Sequence, residues 1–198
     1  MAIIKPNNNT LSAITALPDA ATDLVHIKTI TLTSNTTPIQ FLNSDADVTF
    51  DTTYDTYKFI GNVRYETDSR RTYVRFSEDG ININSTSGNY ETNDISVHDG
   101  NVSGGSDTNS TVFFLEDSLS GNATGENMAF EMTLFNNDLG SPRFVANIHY
   151  IRTDADDGLT LRGGRYMQNV RTKGISFFPN GSTNYQAGST ISMYGVKS

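Results

Sequence analysis

Cysteine is absent from this 198-residue chain, which excludes a disulfide framework, a thiolate zinc site and a thiol nucleophile. Tryptophan is absent too, and with it the stacking platforms that sugar-cleaving enzymes usually place around their paired carboxylates. Histidine occurs only three times, at His26, His98 and His149, and no Gly-x-Ser-x-Gly elbow accompanies it. Positive charge is scarce: 14 Lys and Arg stand against 22 Asp and Glu, a net charge of -8. That balance leaves no basic surplus to neutralise phosphates and argues against a nucleic-acid partner. No segment approaches the roughly 20 apolar residues of a membrane-spanning helix. The start, Met1 to Pro18, carries one lysine and scattered apolar residues, so it does not read as a signal peptide. Without one, the Asn-x-Ser/Thr triplets, such as those at Asn8, Asn84 and Asn180, are read as unmodified. These absences lead us to expect no enzyme, no cofactor and no membrane insertion.

Asn, Ser and Thr fill about a third of the chain, alongside 16 Gly, 11 Phe and 9 Tyr. Thr and the aromatics favour pleated surfaces, and Asn, Ser and Gly favour turns. The hydrophobic pattern has the matching period of two. Tyr57, Phe59, Val63 and Tyr65 alternate with polar neighbours, with Gly61 expected at a bulge. Met128, Phe130, Met132 and Leu134 form a second such run, and Phe144, Ala146, Ile148 and Tyr150 a third. Further strands are expected at 24–33, 48–51, 72–77, 111–116, 174–178 and 190–196, with turn chemistry between them. The expectation is an all-β fold: an antiparallel β-sandwich or jelly roll over residues 23–198. The stretch from Ile81 to Asn109 is the least core-like and is expected to be a long surface excursion, where specificity usually sits.

Residues 1–22 read differently, as an extended N-terminal arm. Ile3, Ile4, Leu11, Ile14 and Leu17 are spread through polar sequence and are the candidate docking residues for a neighbouring subunit. The alternative is a frayed terminus. Asp154, Asp156 and Asp157 are the best metal candidate, a carboxylate cluster suited to calcium. The twelfth position counted from Asp154 is Arg165 where an EF-hand needs Glu, so a hairpin tip is the preferred reading. Arg162 and Arg165 flank Gly163-Gly164, expected as a tight turn from which they would grip a carboxylate or form ordinary surface pairs. Tyr90 and Tyr166 are candidates for a glycan or partner contact, against the alternative of packing in a core.

Several strings carry a resemblance. The opening Met1–Pro18 is similar to the N-termini of small structural proteins of tailed bacteriophages, especially marine ones. The runs Thr53–Phe59 and Val74–Gly80, with Gly174–Phe178, Gly188 and Ile191–Val196, resemble the two halves of a β-domain common in such proteins. The resemblance implies a virion protein, assembled in the bacterial cytoplasm: a capsid decoration protein whose arm engages the major capsid protein or other virion proteins. It implies no catalytic residues. It suggests a homo-oligomer, a trimer among the options. The rival expectation is a tail-fibre-type module recognising a host surface glycan.

Overall fold

The structure, a computed structural model, describes residues 24–116, 119–137, 140–152 and 156–196. The docking residues Ile3, Ile4, Leu11, Ile14 and Leu17, and Asp154 of the carboxylate cluster, lie outside them.

Among the described residues twelve strands follow in chain order: β1 (Leu24–Thr31), β2 (Ile39–Leu42), β3 (Thr56–Val63), β4 (Thr72–Ser77), β5 (Tyr90–His98) and β6 (Asn101–Ser110). Then come β7 (Phe113–Phe114), β8 (Met128–Phe135), β9 (Arg143–Ile151), β10 (Asp157–Tyr166), β11 (Gly174–Pro179) and β12 (Thr190–Val196). They form an eight-stranded sheet in the order β1-β12-β3-β8-β9-β10-β5-β6 and a four-stranded sheet in the order β2-β11-β4-β7. Every pairing is antiparallel. The pairs β5–β6, β4–β7, β3–β8 and β2–β11 are nested in sequence, so the chain doubles back about the β5–β6 turn and alternates between sheets as it goes.

The inner faces of the two sheets meet in one aromatic core, giving a sandwich-like fold. Phe177 of β11 sits at its centre, with ring centroids 5.5 Å from Phe59 of β3, 5.6 Å from Phe130 of β8 and 6.5 Å from Phe41 of β2. A second group joins Phe76 and Phe113 of the small sheet to Tyr90, Phe144 and Tyr166 of the large one. The alternating runs on β3, β8 and β9 place their apolar members inside, as their period of two requires.

Several expectations need correcting. Gly61 marks no bulge: β3 pairs with β8 in unbroken register there, with Gly61 opposite Phe130. A Cβ at Gly61 would stand 2.3 Å from a Phe130 ring carbon, so the glycine makes room for a ring lying across its strand. Gly163-Gly164 is not a turn; both residues lie inside β10. The 48–51 stretch forms no strand, and only Phe113–Phe114 of 111–116 does. The expected excursion from Ile81 to Asn109 is a loop only as far as Asn89, after which β5 and β6 form a hairpin joined at Asp99-Gly100. Both of those turn residues adopt positive φ, of 51° and 73°.

Candidate functional site

The unusual part of the molecule is the β10-β5 pair of the large sheet, where the normal polarity is reversed over much of both strands. Facing inward from β5 are Thr92, Asp94 and Ser96, and from β10 Thr160 and Arg162, all buried. Facing outward are Ile95 and Val97 of β5 and Leu159 and Leu161 of β10.

Arg162 is completely buried, an expensive place for a guanidinium unless its charge and donors are met. Its Nε donates to the Leu115 carbonyl at 2.8 Å and its Nη1 to Thr92 Oγ1 at 3.3 Å. Its Nη2 lies 3.1 Å from Asp94 Oδ1, and the guanidinium carbon sits 4.1 Å from the centroid of the Phe114 ring. The group therefore ties β10 and β5 to the β7 segment of the opposite sheet. A second buried polar cluster lies nearby in sequence. Glu116, fully buried, accepts from the Tyr65 hydroxyl at 2.5 Å and from the Thr72 N–H at 3.0 Å on both of its oxygens. Tyr185 donates its hydroxyl to Thr72 Oγ1 at 3.0 Å. Burial pushes the Glu116 carboxyl up to about 7, the hydrogen bonds opposing the shift only in part. Burial likewise holds the Tyr65 and Tyr185 phenols well above their usual range.

Of the four residues considered for a glycan or partner contact, Tyr90, Arg162 and Tyr166 lie inside the molecule and Arg165 is exposed. Arg162 and Arg165 are three apart on one strand and so point to opposite faces. Tyr90 donates its hydroxyl to the Asn84 carbonyl at 2.6 Å and accepts from the Phe76 N–H at 3.2 Å. Tyr166 donates to Glu78 Oε1 at 2.5 Å. Both phenols thus fasten the 78–89 loop to the core, and burial raises the Tyr90 group to about 12. Asp79 closes the same loop by accepting from the N–H groups of Ile81 and Asn82 at 2.8 and 2.7 Å, which holds its carboxyl well below the ordinary range.

Asp156 and Asp157 are exposed at the start of β10, on the connection from β9, where a hairpin was the preferred expectation. Asp157 Oδ1 lies 2.5 Å from His149 Nε2. Among the described residues, no three His, Asp or Glu side chains come together as a metal site.

Two surface features remain, both adjoining the reversed region. The first is the outer face of the sheet, where Ile95, Val97, Val102, Val145, Leu159 and Leu161 are exposed by 38% to 73%. Strand register makes them neighbours: Leu159 is opposite Val97, Leu161 opposite Ile95, and Val97 opposite Val102. Beside them Gly163 leaves a shallow depression of about 460 Å³, bordered by Ile95, Val145, Leu161, Glu91 and Arg165. The second is the β6 edge. Its ten residues, Asn101–Ser110, are exposed almost throughout and contain neither proline nor a basic residue. The other sheet edges are guarded: β2 and β7 are only four and two residues long, and β1 carries a register shift beside Lys28.

Comparison of the chain with protein-family models, with curated proteins and with solved structures finds no match.

Proposed function

We propose that this chain is a structural, non-enzymatic component of a bacteriophage virion, a capsid decoration protein. The observation that carries an assembly role is the polarity reversal on β10 and β5. There the sheet keeps Arg162, Asp94 and Thr160 inside and turns Ile95, Val97, Leu159 and Leu161 outward. Contiguous exposed apolar surface of this kind marks an interaction site. The large polar side chains that would serve a binding cleft, Arg162, Glu116, Tyr90 and Tyr166, are instead engaged in internal contacts.

The strand order supports a more specific fold. Four nested antiparallel pairs, wrapped so that β2-β11-β4-β7 faces β3-β8-β9-β10-β5-β6, are what a jelly roll produces when a hairpin is inserted beside its β8 position. On that reading β1 and β12 extend the large sheet. Jelly rolls recur in viral capsid proteins, a fold-level analogy that agrees with the sequence resemblance.

Attachment is assigned to the N-terminal arm, with Ile3, Ile4, Leu11, Ile14 and Leu17 buried against the major capsid protein. At about 25 cal/mol per Å² of apolar surface, five such side chains would contribute several kcal/mol before the cost of ordering the arm. Repetition over a shell would turn such contacts into firm attachment. The test is deletion of residues 1–18 followed by co-sedimentation with particles lacking the protein. The shortened chain should stay folded by circular dichroism and remain in the supernatant. Particle binding equal to that of the full chain would refute the arm.

A further inference from the structure

We propose that the outer face of β9-β10-β5 is a two-fold interface with a second copy of this chain, the two β10 strands crossing antiparallel about Leu161. The inference is independent of the particle to which the protein is assigned.

Three observations select a second copy over other occupants. The first is charge order. The outward-facing residues of β10 run Asp157, Leu159, Leu161, Gly163, Arg165: acid, apolar, apolar, no side chain, base. A strand with that order is complementary to itself when reversed. At the basic end exposed Arg143 of β9 is the cross-strand partner of Arg165 and adds a second cation, while Glu91 of β5, opposite Arg165 on the other side, pairs with it at 2.9 Å. At the acidic end the partner of Asp157 is the uncharged Ile151, so Asp157 carries the charge order there alone. The chain's net charge of -8 opposes association in general, so a face that pairs opposite charges across its own dyad removes that objection locally.

The second is shape, and it selects the same register. Placing Arg165 against Asp157 of the partner subunit sets Leu161 on the dyad and Leu159 over Gly163 of the partner subunit. Gly163 is the one position on that stripe with a hollow to receive a side chain. A Cβ built there would meet nothing closer than the Phe144 carbonyl oxygen at 3.7 Å, and its φ is not in the left-handed region. Its glycine is therefore required by neither the backbone nor the core of this chain. By contrast, neighbouring Gly164 is enforced from within, because a Cβ would stand 2.4 Å from a Phe144 ring carbon.

The third is area. Six aliphatic side chains, each roughly half exposed, make a patch on the order of 500 Å², toward the upper end of what soluble chains leave open. Each such patch, with its polar rim of Glu91, Arg143, Arg165, His149 and Asp157, approaches the ~800 Å² per partner of a standard stable interface.

The experiment is sedimentation equilibrium on the full chain and on variants, with melting curves as the folding control. The wild-type protein should be a dimer. Leu161→Lys sets two like charges together at the dyad and should raise Kd on the order of a hundredfold. A single cooperative melting transition should be retained because the side chain leaves the monomer core untouched, its midpoint lowered only by the loss of the partner. Arg165→Asp should weaken the dimer on the order of tenfold by opposing two acids. Adding Asp157→Arg to it should restore the dimer. A monomeric wild-type chain would overturn the proposal and leave the face to a different partner. So would a trimer, or a dimer that Leu161→Lys leaves intact. Failure of the double variant to recover would overturn the antiparallel register.

Discussion

Replacing Arg162 by Met should lower unfolding stability by about 3–5 kcal/mol, which is much of the margin of an ordinary domain. Methionine keeps most of the side-chain length, so the loss is electrostatic rather than a large cavity. The substitution removes three polar contacts at once, to the Leu115 carbonyl, Thr92 Oγ1 and Asp94 Oδ1. It leaves the buried Asp94 carboxylate without this guanidinium, and that residual charge is the expensive part. The double variant Arg162→Met/Asp94→Leu should therefore be more stable than the single one, because it removes the charge along with its counter-charge. Urea midpoints measure both. A single variant within about 1 kcal/mol of wild type would show that the cluster is not what holds β5 and β10 to the β7 segment.

Glu116 should make the chain lose stability as pH rises through neutrality. Its unfolded carboxyl has the ordinary value of 4.5, and burial lifts the folded one to about 7. Below 4.5 both states carry the proton and the group's contribution is fully present. Between 4.5 and about 7 the folded chain holds a proton that the unfolded chain has released, so each rise in pH favours unfolding. The accumulated loss is about 3 kcal/mol once pH exceeds the folded value. Glu116→Gln is neutral at every pH and keeps an acceptor for the Tyr65 hydroxyl and the Thr72 N–H, so it should lack this loss. The stability of the Gln variant minus that of wild type should climb by about that amount between pH 4.5 and 8. A difference that stays flat across the window would show that the carboxylate is not neutral at its site.

Much of the fold was legible because burial on one face enforces alternation. β3, β8 and β9 each bury every second side chain against the small sheet, and their period of two follows directly from that. β6 was invisible for the opposite reason. Exposed almost throughout, Asn101–Ser110 experiences no selection for alternation and reads as a polar loop. β5 and β10 were harder still, since their alternation is present but inverted. Thr92, Asp94, Ser96 and Arg162 take the positions where a core residue is expected. A sign of this was available: Ile95 and Val97 share a parity, as do Leu159 and Leu161, and each pair alternates with polar residues. Which face of such a strand is inside depends on the opposite sheet, and no local pattern carries that information. Gly163-Gly164 was misleading because paired glycines usually mean a turn. Here one glycine yields to a neighbouring ring and the other opens a hollow on the surface.

The candidate contact residues failed along the same line. Tyr90, Arg162 and Tyr166 are large and polar-tipped, which suits a ligand surface equally well as a buried hydrogen bond. Their partners, Asn84, Asp94 and Glu78, lie 6, 68 and 88 residues away, at separations that no spacing rule links. What distinguishes a site from an interior network is which groups the fold brings together. On β5 and β10 the fold sequesters polar side chains and presents aliphatic ones. Function is accordingly sought in association.

The central claim, a structural protein of a virion shell, is tested most directly by counting. Quantitative mass spectrometry of purified virions gives the number of copies of this chain relative to the major capsid protein. The account predicts a ratio of the same order as the capsid subunits, as a protein attached at repeated lattice positions requires. A ratio as low as that of tail components, or absence of the chain from the particles, would contradict it.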